Sequence, residues 1–110
     1  MIKTVIQSLL DETIYPIPTG KVENIIIKRE LVADADFTKA LSDTKEYKGA
    51  LADCLYSLLQ AITFSEAGMS VGALTDAQRK SILKRANNLY DEIGEGEKDD
   101  PLDPKVFINC

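Results

Sequence analysis

Residues 43–64 read DTKEYKGALADCLYSLLQAITF, the longest proline-free apolar-periodic run in the chain. Tyr47, Leu51, Cys54, Leu55, Leu58, Leu59 and Ile62 recur at spacings of three and four, which places them on one side of an α-helix. Ala50, Ala52 and Ala61 add helix propensity without bulk. Asp43 is expected to cap this helix, with Glu46 three residues on in a box-like pattern.

Outward from that run, the flanks also read as helices. Ile2 to Glu12 carries an apolar stripe of Ile2, Val5, Ile6, Leu9 and Leu10, with Lys3, Gln7 and Asp11 facing outward. Tyr15-Pro16-Ile17-Pro18 stops it, because proline lacks an N–H and disfavours helix at the preceding residue. Lys21 to Leu31 follows, with Thr19 expected as its N-cap. Ile25-Ile26-Ile27 has strand propensity, but Val22, Ile25, Ile26 and Arg29 fit helical spacing, so the segment reads as helix with an edge strand as the alternative. Val32 to Ser42 is a connection with room for one helical turn at Phe37 to Leu41.

Beyond the central run, Ser65-Glu66-Ala67-Gly68 ends the helix and Met69 to Ala73 is a loop or a brief extended piece. Thr75-Asp76-Ala77-Gln78 then opens another helix, with threonine at N-cap and glutamine at N3. Ile82, Leu83, Ala86, Leu89, Tyr90 and Ile93 form its stripe, Arg79, Lys80, Lys84 and Arg85 lie on or beside its wet face, and Gly94 suits its C′ position. From Glu95 to Cys110 the chain is acidic and polar, and Pro101 and Pro104 oppose a helix. The expected fold is all-α: a bundle of four to five helices over residues 1–94, with an extended acidic tail over residues 95–110.

With 110 residues, one core is available and not two. A net charge of −5 argues against direct nucleic-acid binding and against anionic membrane surfaces. No apolar run approaches the roughly 20 residues that span a bilayer, and the N-terminal residues lack a signal-peptide layout. Two cysteines, Cys54 and Cys110, read as free thiols in a reducing compartment, which implies cytosolic synthesis. With no histidine, Ser–His and Cys–His nucleophile pairs and His-containing zinc sites are excluded. Neither GxxxxGK[ST] nor GxGxxG is present. Asp99, Asp100 and Asp103 lack calcium-loop spacing, and Asp34 and Asp36 lack its glycine, so both groups read as solvated charge. The residues therefore point to no enzyme, no cofactor and no metal.

The block from Tyr47 to Ile108 carries a resemblance. GALADCLYSLLQAI runs into SEAGMSV, then TDAQRKSILKRANNLYDEIGE and DPLDPKV. It resembles small helical head–tail connector (adaptor) proteins encoded by phages and prophages of Bacteroides-type bacteria, with Ser65-Glu66-Ala67-Gly68 at the family's turn and Ala86-Asn87 and Leu89-Tyr90 in its last helix. The resemblance implies a structural protein that associates with itself in a ring at the portal, with portal or tail proteins as partners and the virion as its destination. A repeated heterologous interface closes into such a ring. On this reading the candidate subunit-contact residues are Val106, Phe107 and Ile108 of the tail and Arg79, Lys80 and Lys84 of the last helix. The alternative is a small helical protein-binding or regulatory module.

Overall fold

The computed structural model describes residues 3–15, 17–60 and 75–98. The fold is all-α, with five helices among the described residues: α1 (Val5–Thr13), α2 (Thr19–Lys28), α3 (Lys39–Ser42), α4 (Lys45–Gln60) and α5 (Asp76–Glu92). Ile25-Ile26-Ile27 is helical, and β-pairing among the described residues is confined to one isolated bridge between Thr4 and Asp36. Helix α4 is the hub: α1, α2, α3 and α5 all pack on it, α5 most extensively. Burial on several sides follows from its composition. Tyr47, Ala50, Leu51, Ala52, Cys54, Leu55, Leu58 and Leu59 are all buried. Around it stand Val5 and Leu9 of α1, Val22, Ile25 and Ile26 of α2, and Ile82, Ala86 and Tyr90 of α5, with Ile93 just beyond.

Local chemistry sets the helix ends, and several lie away from the expected residues. Helix α1 starts later than Ile2 because Thr4 caps it: Gln7 N–H donates to Thr4 Oγ1 (3.3 Å) and Thr4 N–H donates to Gln7 Oε1 (3.0 Å). Its other free N–H groups meet the α2–α3 connection, Val5 donating to the Ala35 carbonyl (2.9 Å) and Ile6 to that of Ala33 (3.0 Å). Thr19 is not a cap but the first residue of α2; Pro18 occupies the N-cap position, with no side-chain bond, and its carbonyl accepts from Lys21 and Val22. Nor does Asp43 cap α4. Its backbone (φ −90°, ψ −3°) closes α3, whereas an N-cap needs an extended residue. Thr44 supplies the oxygen instead, accepting from Tyr47 N–H at 3.2 Å. Thr75 caps α5 in a full capping box with Gln78.

Helix α5 ends in a Schellman motif around Gly94 (φ 79°), with Gly94 N–H bonded to the Asp91 carbonyl (3.1 Å) and Glu95 N–H to that of Tyr90 (2.9 Å). Helix α2 ends the same way, but with Glu30 at φ 62° in the glycine position. Residues 61–74 and 99–110, which hold the expected turn at Ser65 to Gly68 and most of the tail, lie outside the described residues.

Candidate functional site

Arg29, the C-cap of α2, projects its side chain across α4. The path is open because residue 49 is glycine: a Cβ there would stand 2.6 Å from Arg29 Nη1 and 2.7 Å from its Cζ. On the far side the guanidinium meets Asp53 in a two-point pair, Nε to Oδ2 at 2.7 Å and Nη2 to Oδ1 at 3.0 Å. Tyr90 of α5, fully buried, donates its hydroxyl to the same Asp53 Oδ1 at 2.6 Å. Glu95, just after α5, completes the cluster. It accepts from Arg29 Nη2 at 3.0 Å and from Nη1. One guanidinium thus ties α2, α4 and the residues after α5 together.

The electrostatics follow from these contacts. Hydrogen bonds to Asp53, then to Glu95, hold Arg29 more firmly protonated than usual. Arg29 in turn holds the Glu95 carboxyl below its ordinary range. Burial, with Asp53 second, raises the Tyr90 hydroxyl far above the usual phenol. Tyr47 is raised likewise, by burial and by Glu12, to which it donates; Ser8 Oγ lies 2.7 Å away, so this second cluster links α1 to α4. Burial pushes the Cys54 thiol up to about 12, which leaves it protonated at neutral pH and a poor nucleophile. Cys54 is buried and unpaired, as its place on the apolar stripe predicts, while Cys110 lies outside the described residues.

Past Glu95 the chain turns back along α5. The Asn87 side chain holds the Lys98 backbone at two points, accepting from its N–H (2.7 Å) and donating to its carbonyl (2.9 Å). The Lys98 ammonium sits 4.6 Å from the centre of the Tyr90 ring. Beside this strap opens a cleft of about 280 Å³, lined by Lys28, Arg29, Glu30, Lys45, Glu46, Ile93 and Glu95.

Of the candidate contact residues, Lys80 and Lys84 are exposed on one face of α5, one turn apart. Arg79 turns inward and donates from Nη2 to the Leu59 carbonyl near the C-terminal end of α4 (3.2 Å). Val106, Phe107 and Ile108 fall outside the described residues. The first tail carboxylate, Glu95, reaches Arg29 of α2 rather than the cations of α5. Of the Arg29 cluster, Tyr90 was named only as part of the last helix's stripe and of the resemblance, and two charged members carried a signal of their own. Arg29 shares the helical stripe of Val22, Ile25 and Ile26, and Asp53 interrupts the apolar run between Ala52 and Cys54. A charge on an apolar stripe needs a partner. Among the described residues every buried side-chain nitrogen and oxygen has one, and no group of three or more acidic or thiol side chains is placed to hold a metal ion.

No curated protein and no solved structure matches the chain. A family model described as "Family of unknown function (DUF6706)" matches residues 1–107. That span takes in all five helices, the Arg29 cluster and most of the tail, so the chain belongs to the DUF6706 family.

Proposed function

We propose that this chain is a structural head–tail connector (adaptor) subunit of a phage or prophage, which associates with itself in a ring at the portal and meets portal or tail proteins there. The observation that carries the reading is the resemblance of residues 47–108 to such connectors, whose two recognisable helices are α4 and α5, the most extensively packed pair among the described helices. The polar chemistry supports it. Arg29, Asp53, Tyr90, Tyr47 and Glu12 are engaged with one another or with neighbouring elements, which suits a rigid subunit better than a reaction centre. Lys80 and Lys84 are left on the outer face of α5 as contacts for an acidic neighbour. No helix among the described residues is long and apolar enough to cross a membrane, in keeping with assembly in the bacterial cytoplasm and delivery to the virion.

A second reading, a small protein-binding module, draws on Ile14, Ile27 and Val32, large apolar side chains that are 75%, 72% and 59% exposed. One experiment tests the tail's part in the connector reading. A chain lacking residues 99–110 keeps the strap and the Arg29 cluster, so it should fold. On the connector reading it fails to join portal-bearing heads to tails in a complementation assay. Full production of infectious particles by the truncated chain would remove the tail from the proposal.

A further inference from the structure

We propose that the Arg29–Asn87–Tyr90 surface is an exchangeable docking site, which holds Glu95–Lys98 of its own chain in the isolated subunit and Glu95–Lys98 of a second copy when copies are crowded together. The receiving side is built without the strap. Arg29 is fixed by its two bonds to Asp53 and by the bare backbone of Gly49 beneath it, Tyr90 is buried, and Asn87 stands on α5. Withdrawal of the strap leaves Nη1 and one edge of Nη2 facing out beside the cleft, already aimed at a carboxylate.

The strap is held by contacts of a kind that can be remade in trans. They are one carboxylate on Arg29, one backbone N–H on the Tyr90 carbonyl, one backbone N–H and one C=O on Asn87, and one ammonium on an aromatic ring. Glu95 and Gly96 are exposed and Lys98 is half-buried, so little apolar surface is lost on opening. The hinge is present as well: Gly94 and Gly96 flank Glu95 at φ 79° and 82°, where the absence of a Cβ leaves the backbone free to adopt other angles. The occupant follows from complementarity. The strap of another copy offers the same groups at the same spacing, and a swapped element needs no newly evolved surface. A short linker gives the chain's own strap a high effective concentration, so exchange is confined to closely packed copies. The inference rests on the self-association proposed above and not on the phage, since its test reads Arg29 directly.

The test uses the full chain with Glu95→Lys, which removes the strap's carboxylate from Arg29 and leaves the receiving residues in place. The probe is the capped peptide of residues 94–98, GEGEK, at roughly millimolar concentration, the range expected for a few charged hydrogen bonds. The peptide should shift the Arg29 Nε–H and Asn87 side-chain amide resonances of the variant, and the same peptide with Glu95→Gln should bind about tenfold more weakly or less. The wild-type chain, its site filled, should not respond at that concentration. In sedimentation equilibrium the wild-type chain should associate as concentration rises, and Glu95→Lys should reduce that association. Absence of a peptide-dependent shift at Arg29 would overturn the docking site. Self-association indifferent to Glu95→Lys would overturn exchange between copies. If Glu95→Lys loses the wild-type far-UV spectrum, Glu95→Gln replaces it in both measurements.

Discussion

Gly49→Ala should destabilise this protein, although alanine is the better helix former. Residue 49 lies in the first half of α4, where replacing glycine by alanine ordinarily gains about 0.8–1 kcal/mol. Here the added Cβ would fall 2.6 Å from Arg29 Nη1, 2.7 Å from Cζ and 2.9 Å from Nε. To reach ordinary contact the guanidinium must retreat by roughly 1 Å. It has no slack for that, because Nε is 2.7 Å from Asp53 Oδ2 and Nη2 is 3.0 Å from both Asp53 Oδ1 and Glu95 Oε1. Hydrogen bonds to charged groups contribute about 1.5–3 kcal/mol each when well made. The Arg29 and Asp53 side chains are 20% and 28% exposed, so solvent recovers part of that loss. Losing the alignment of two such bonds and regaining the propensity leaves a net loss of about 1–3 kcal/mol. Urea unfolding reads it as a fall in midpoint of roughly 1 M, for a slope typical of a small domain. The decisive comparison is the same substitution in an Arg29→Met background, where the obstruction is gone. There Gly49→Ala should stabilise by about 1 kcal/mol. If Gly49→Ala stabilises the wild-type chain as it would an ordinary helix site, Arg29 is not held over Gly49 and the reasoning fails.

Three further outcomes follow from the same contacts. Leu55, almost wholly buried in α4, should lose about 2–5 kcal/mol on Leu55→Ala, and a loss below about 1 kcal/mol in denaturant unfolding would place it outside the core. Thr75→Ala should cost roughly 0.5–2 kcal/mol and Thr75→Ser much less, since the serine hydroxyl can still accept from Gln78 N–H; equal midpoints for the two would disprove the cap. Because Arg29 depresses the Glu95 pKa, the stabilisation from Glu95 is fully present above its unfolded value near 4.5 and fades as pH falls through the lower folded value. The difference in urea midpoint between wild type and Glu95→Gln should therefore be constant near neutrality and shrink in acid, and a difference that grew on acidification would contradict the latch.

The helices were legible where one-sided burial leaves a period in the sequence. Leu51, Leu55, Leu58, Ile82, Ala86 and Tyr90 lie where their spacing put them, and Thr75-Asp76-Ala77-Gln78 marked a helix start because the capping box is local chemistry. The misplaced starts have separate local causes. Asp43 and Thr44 are both good capping residues one position apart, and the choice between them depended on α3 ending at Ser42, which four residues, KALS, scarcely announce. Thr4 was overlooked because Ile2 extends the apolar stripe past the true cap. The Arg29 cluster was not legible as a site because its members are far apart in sequence. Arg29, Asp53 and Glu95 become neighbours only once α2 and α5 have both packed on α4, and Gly49 gives no sign in one dimension that a guanidinium lies over it. What could be seen was one charge on an apolar stripe, Arg29, and one interrupting an apolar run, Asp53.

On the connector proposal the chain is encoded by a phage or prophage, and the most direct test is imaging of that particle's purified portal-bearing heads before and after addition of the full-length protein. Added protein should appear as a ring of copies below the portal, with helices α4 and α5 recognisable in each copy. Heads whose portal vertex is unchanged by saturating protein, together with absence of the chain from mature particles, would contradict it.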